Sequence, residues 1–125
     1  MRTRPLVLII DDFNDAREVY EIALTLEGFA VEGASEGREG LRKAVDLQPD
    51  LIITDLAMPV MNGWETIREL RAHDRTCRIP IIACSGDDDP PPTQDAWADA
   101  VLAKPCPLDV LLQEVQTILR RSSAA

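Results

Sequence analysis

Apolar and polar positions along the chain follow two rhythms in turn. Short apolar runs with β-branched residues stand at Leu6–Ile10, Ala30–Gly33, Leu51–Thr54, Ile79–Cys84 and Ala100–Ala103. Runs such as LVLII do not alternate with polar residues, so they read as strands buried on both faces. Helical spacing fills the intervals. Asn14 or Asp15 can cap a first helix with Val19, Ile22, Ala23 and Leu26 on its inward face and a stop at Gly28. Ser35 opens a second, with Glu39 in its first turns, Leu41, Ala44 and Val45 inward, and an end before Pro49. A third spans about Gly63 to His73 with Ile67 and Leu70 inward. The last, about Leu108 to Arg120, presents Val110, Leu111, Val115, Ile118 and Leu119, with Arg120 and Arg121 at its carboxyl end. Strands alternating with helices predict right-handed βαβ units and a mostly parallel sheet. The expectation is one α/β domain over residues 1–125, with a core from about 5 to 120 and a flexible tail at 121–125.

Composition narrows the partners. A net charge of −9 argues against direct nucleic-acid binding, which needs a basic face. Cys77, Cys84 and Cys106 are odd in number and form no C-x-x-C pair, so neither a disulfide scaffold nor a zinc site is expected. A reducing, cytoplasmic setting is expected instead. Nothing approaches a membrane span, and the five apolar residues after MRTRP are too few for a signal peptide. His73, the only histidine, falls near a predicted helix end, where it reads as a surface cation.

In a parallel α/β sheet, ligands gather at the carboxyl ends of the strands. The first strand runs into Asp11-Asp12, the third into Asp55, the fourth into Ser85-Gly86 and the fifth into Lys104-Pro105. The second ends in Gly33-Ala34-Ser35, without charge. Three carboxylates, a hydroxyl and an ammonium therefore converge on one edge. Each has a plainer reading too: a turn and helix cap for the doublet, a cap for Ser85, a solvated strand-end charge for Lys104. Asp55, between LIIT and LAMP, is the hardest to explain that way.

The pieces IIDD, LEGFAVEGASEGREGL, PDLIITDLAMPVMNGWETIREL, IPIIACSG and VLAKP together resemble the receiver domain of two-component response regulators, the CheY-like family, over nearly the whole chain. The resemblance implies a doubly wound, five-stranded parallel sheet in the order 2-1-3-4-5 with helices on both faces. It also implies a cis peptide bond before Pro105.

Three carboxylates about 5 Å apart repel by roughly 3 kcal/mol per pair at an effective dielectric of about 20. A cation among them relieves this, and Mg²⁺ suits hard oxygen ligands with open water positions. Asp12 and Asp55 are expected to ligate it directly, Asp11 through water, and the resemblance adds the backbone carbonyl of Ala57. Asp55 is the expected phosphoacceptor, forming an acyl phosphate. Lys104 and Mg²⁺ would neutralise the phosphoryl oxygens, and Ser85 would donate to one of them. The implied function is acceptance of phosphoryl from a histidine kinase or histidine phosphotransfer protein, followed by phosphorylation-dependent protein contact and loss of the group by hydrolysis. The chain reads as a stand-alone receiver, not as an enzyme with a substrate of its own. Met58, Pro59 and Gly63 read as shaping the loop after Asp55, and Trp64 as a partly packed surface aromatic.

Three rivals are weaker. An aspartyl-nucleophile phosphohydrolase wants a second acid two residues after its nucleophile, where Ala57 stands. A degenerate receiver acting only by docking would not need all five site residues. A flavodoxin-like binder would want a Gly-rich loop where DDFND stands.

The stretch GDDDPPPTQDAWADAVLAKP departs from the family pattern. Consecutive prolines deny a helix before about Pro92, leaving two turns at most before Asp99, so the family's fourth helix should be short or partly unwound. Ala96, Trp97 and Ala100 offer little to pack. Mobility is expected from about Asp87 to Thr93, and Trp97 is a candidate partner anchor. Val101 stands at the family's aromatic switch position, where it cannot carry a ring rotation.

Overall fold

The computed structural model of the chain describes residues 3–86, 89–91 and 96–124, with no account of the side chains of 122–124. The elements run β1 (Leu6–Ile10), α1 (Asn14–Leu26), β2 (Ala30–Ala34), α2 (Gly37–Leu47), β3 (Leu51–Asp55), α3 (Gly63–Ala72), β4 (Ile81–Ser85), β5 (Ala100–Ala103) and α4 (Leu108–Ala124). All strand pairs are parallel and the order is β2-β1-β3-β4-β5. The doubly wound sheet expected from the sequence is the fold of the protein.

Successive side chains of a strand point to opposite faces, and both faces here are covered. Leu8, Ile10, Ile52, Ile81 and Ala83 meet Ala44 of α2 and Trp64, Ile67 and Leu70 of α3. Val7, Ile9, Leu51, Ile53, Ile82 and Cys84 meet Leu24 of α1 and Leu111, Val115 and Ile118 of α4. Tight packing sets the glycines: a Cβ on Gly40 would lie 2.4 Å from the Ile10 Cδ1.

Several expectations need correction. In α1 the inward residue is Leu24, with Tyr20 packed beside it, while Val19, Ile22 and Leu26 are exposed. Two apolar stripes share this helix, and the sheet takes the one containing Leu24. Its N-cap is Phe13, without a side-chain cap bond, so neither Asn14 nor Asp15 caps it. Ser35 lies outside α2 and is held by Glu39, whose carboxylate accepts from its N–H at 2.6 Å. Trp64 is buried, not a surface aromatic. Val110 is exposed. The strand at Ile79 begins only at Ile81, because Pro80 has no N–H and the Ile79 N–H turns back to Thr76. Helix α4 continues through Ala124, into the segment expected to be a tail.

Between β4 and β5 the described residues hold no helix. The expectation of mobility at Asp87–Thr93 falls largely on residues 87, 88, 92 and 93, which lie outside the described ones. Residues 96–99 are irregular but anchored, contrary to the expectation of little packing. Ala96 and Ala98 pack on the core, the Asp99 N–H donates to Ile81, and Asp99 Oδ2 accepts from the Ile81 N–H at 2.7 Å.

Candidate functional site

Register assembles the site. Ile10 pairs with Thr54, so Asp11 and Asp55, each one residue further on, end level. Asp55 pairs with Cys84, placing Ser85 one step beyond, and Ser85 pairs with Ala103, placing Lys104 one step beyond that. Parallel strands with this stagger bring residues 49 apart in sequence into contact.

Asp11, Asp12 and Asp55 each offer a carboxylate oxygen, and these atoms all lie within 4.8 Å of one another. Asp11 and Asp55 are buried and Asp12 is exposed. Lys104 Nζ donates to Asp55 Oδ1 at 2.5 Å. The Ala57 N–H donates to the same oxygen at 3.4 Å, so the residue expected to supply a carbonyl also touches the site through its amide. Among the described residues, both hydrogen bonds to the Asp55 side chain fall on Oδ1. Asp11 Oδ1 accepts from the Phe13 N–H at 3.0 Å.

Burial raises the Asp11 carboxyl above the ordinary carboxylate range; the Phe13 bond opposes this and the charge of Asp55 adds to it. Burial pulls the Lys104 ammonium down, but its hydrogen bond to Asp55, the Asp55 charge and that of Asp11 more than offset this and leave it raised. The lysine is thus held as a cation against Asp55. Three carboxylates with one ammonium leave a surplus of negative charge, which is the donor chemistry a hard divalent cation fits.

The loop after Asp55 is tightly built. The Gly63 N–H donates to the Leu56 carbonyl at 2.9 Å, and a Cβ on Gly63 would lie 2.2 Å from the Asp55 carbonyl oxygen. Only glycine allows α3 to start this close to β3. Asn62 and Glu65 cap α3 reciprocally. The Lys104–Pro105 peptide bond is cis.

Ser85 stands where the sequence placed it, but its hydroxyl donates to Asp89 Oδ2 at 2.5 Å, and the Gly86 N–H donates to Asp89 Oδ1 at 2.9 Å. Sequence reasoning gave Asp89 no part in the site and missed this role. It also missed Arg17, whose guanidinium donates to the Asp11 carbonyl at 2.8 Å from within α1. An aspartate four residues past a strand-end serine was the available signal for the first; the second had none.

A three-carboxylate cluster beside a lysine, at the carboxyl edge of a five-stranded doubly wound sheet, defines a class of acidic-pocket α/β domains. The family model for the response regulator receiver domain matches residues 7–116, and the chain belongs to that family. PrrA of Mycobacterium tuberculosis, a transcriptional regulatory protein, is 38% identical over 120 residues, 95% of this chain and 52% of its own length. RpaA of Synechocystis, a DNA-binding transcriptional regulator, is 36% identical over 94% of this chain and 50% of its own. The chain spans about half the length of these curated relatives. Among solved structures, Vibrio cholerae CheY4 superposes with a TM-score of 0.83 at 33% identity, covering 93% of this chain and 99% of that one. The receiver domain of the Pseudomonas aeruginosa sensor histidine kinase PA1611 gives a TM-score of 0.86 at 28% identity, covering 94% and 98%; that structure holds a magnesium ion in its active-site cleft.

Proposed function

We propose that the domain accepts a phosphoryl group on Asp55 from a phosphohistidine of a kinase or phosphotransfer protein, and signals by protein contact that depends on it. The observation that carries this reading is the Asp11–Asp12–Asp55 cluster with Lys104 on Asp55. An Asp55 carboxylate oxygen attacks phosphorus, the P–N bond to histidine breaks, and the imidazole leaves neutral after taking up a proton. Lys104 follows the phosphoryl oxygens as charge builds on them. Water later attacks phosphorus, releasing phosphate and restoring the carboxylate.

Asp12 and Asp55 would hold Mg²⁺ directly, with Asp11 through water and the Ala57 carbonyl, and the ion would neutralise phosphoryl charge that Lys104 alone cannot. Magnesium in the cleft of the PA1611 receiver supports this assignment. The family and the absence, among the described residues, of a helix long and apolar enough to cross a membrane fit a partner met in aqueous solution.

Acetyl phosphate with Mg²⁺ should add one phosphoryl group to the wild-type chain, seen as a single mass shift that is absent from Asp55→Asn. Labelling of the Asn variant at Asp11 or Asp12 would overturn the assignment.

A further inference from the structure

We propose that Asp89 is a built-in competitor of the phosphoryl group: its carboxylate occupies the Ser85 hydroxyl and the Gly86 N–H before phosphorylation and must leave for them to serve a phosphoryl group on Asp55. This rests on the reading of Asp55 as phosphoacceptor. Two adjacent donors converge on one carboxylate, one oxygen each, at 2.5 and 2.9 Å. Such a pair is an anion site, and its bonds to a charged acceptor are the strong kind. The site faces the same edge as Lys104. The Lys104 N–H donates to the Ser85 carbonyl, and a Cβ on Gly86 would lie 3.8 Å from Lys104 Cδ and 3.9 Å from Asp89 Oδ1. The carboxylate and the lysine stem therefore flank one spot.

A serine hydroxyl has one proton to donate, so Asp89 and a phosphoryl oxygen compete for it exclusively. At rest the cations and donors of the edge are matched pairwise, Lys104 with Asp55 and Ser85 with Asp89. Arrival of a phosphoryl group re-pairs both and expels Asp89. Pro90 and Pro91 follow it directly, and their fixed φ makes them move with it as a stiff piece. Exposed Val101 has no ring to turn, so release of this segment supplies a route from Ser85 to the surface that needs none.

The test is titration with beryllofluoride, a phosphoryl mimic, in Mg²⁺, read by intrinsic tryptophan fluorescence and beside acetyl phosphate labelling of the wild type. Asp89→Ala should bind the mimic about tenfold more tightly than wild type. Asp89→Asn, of the same shape but uncharged, should fall between and guards against a folding artefact. In a Ser85→Ala background the gain from Asp89→Ala should shrink to about threefold or less, because only the Gly86 N–H remains to compete for. Wild-type labelling with unchanged mimic affinity in both Asp89 variants overturns the role of Asp89 alone. A full gain in the Ser85→Ala background also overturns it, by showing a charge effect that does not pass through Ser85. Failure of the wild type to label overturns the phosphoacceptor reading, and this inference with it.

Discussion

The Arg71 guanidinium lies 3.6 Å from the centroid of the Trp97 ring, stacked over it. The same side chain donates to the carbonyls of Trp97, Cys77 and Ile79 and pairs with Asp99 at 3.1 Å. One residue of α3 thereby ties down the chain that enters β5, where the described residues hold no helix. Only 5% of the Arg71 side chain is exposed. Trp97, a candidate anchor for a partner, has one ring face covered by Arg71 and remains 55% exposed.

Arg71→Ala should therefore destabilise the fold by about 3 kcal/mol, since it removes the cation paired with Asp99 and the guanidinium donor to three carbonyls. Arg71→Lys should recover little, because an ammonium cannot reproduce the planar fork or the stacking. Urea denaturation of the three proteins checks both statements; a loss within the error of the wild type would show that the network is ornamental.

Gly63→Ala should be among the most damaging small substitutions in the chain. The added methyl would collide with the Asp55 carbonyl oxygen and Leu56 Cα, which are backbone atoms and cannot rotate aside. A cost of about 2 kcal/mol or more is expected, with Asp55 displaced. Melting temperature and acetyl phosphate labelling should fall together.

Asp11→Asn should raise the melting temperature of the Mg²⁺-free protein at neutral pH. The carboxyl is buried beside Asp55 and its folded pKa is raised above the ordinary 3.8. A carboxyl so raised contributes stability that is fully present below its unfolded pKa and lost as pH rises through the folded value. The neutral amide removes that loss, so the advantage of the variant should be largest near pH 7 and vanish near pH 3. In saturating Mg²⁺ the advantage should shrink, because the wild type, with the extra charge of Asp11, gains more ligand-linked stabilisation than the variant. Thermal melts with and without Mg²⁺ at the two pH values decide it.

Lys104→Met should tighten Mg²⁺ binding roughly threefold or more while slowing labelling by acetyl phosphate. The ammonium on Asp55 repels a divalent cation held by the same carboxylate, and its removal lifts that repulsion. The phosphoryl oxygens would then lack their second cation. Weaker Mg²⁺ binding in the variant would mean that Lys104 organises the carboxylates instead of competing for them.

Much of the site was legible because it lies where strand ends must lie. Apolar runs mark the strands, parallel connection sends every carboxyl end to one edge, and so Asp11, Asp12, Asp55, Ser85 and Lys104 fall on the same edge, where the three carboxylates cluster and Lys104 reaches Asp55. Asp89 was not legible in the same way. Its contact with Ser85 depends on the path of an irregular loop, and no periodicity records such a path.

The sequence by itself determined the element types, the parallel doubly wound sheet and the identity of the acidic edge, because hydrophobic period and strand-end chemistry are local properties. Tertiary structure alone decided which of two apolar stripes on α1 faces the sheet, and it chose Leu24 over Val19, Ile22 and Leu26. It decided that Trp64 fills the core, that Arg71 replaces a helix as the anchor of residues 97 and 99, and that the Ser85 hydroxyl belongs to Asp89 at rest. The physical reason is that each depends on packing or on loop path, not on local pattern. The first three are choices between partners of similar chemistry at long range, settled by shape complementarity between elements, and the fourth follows the path of an irregular loop; neither is written in the spacing of residues along the chain.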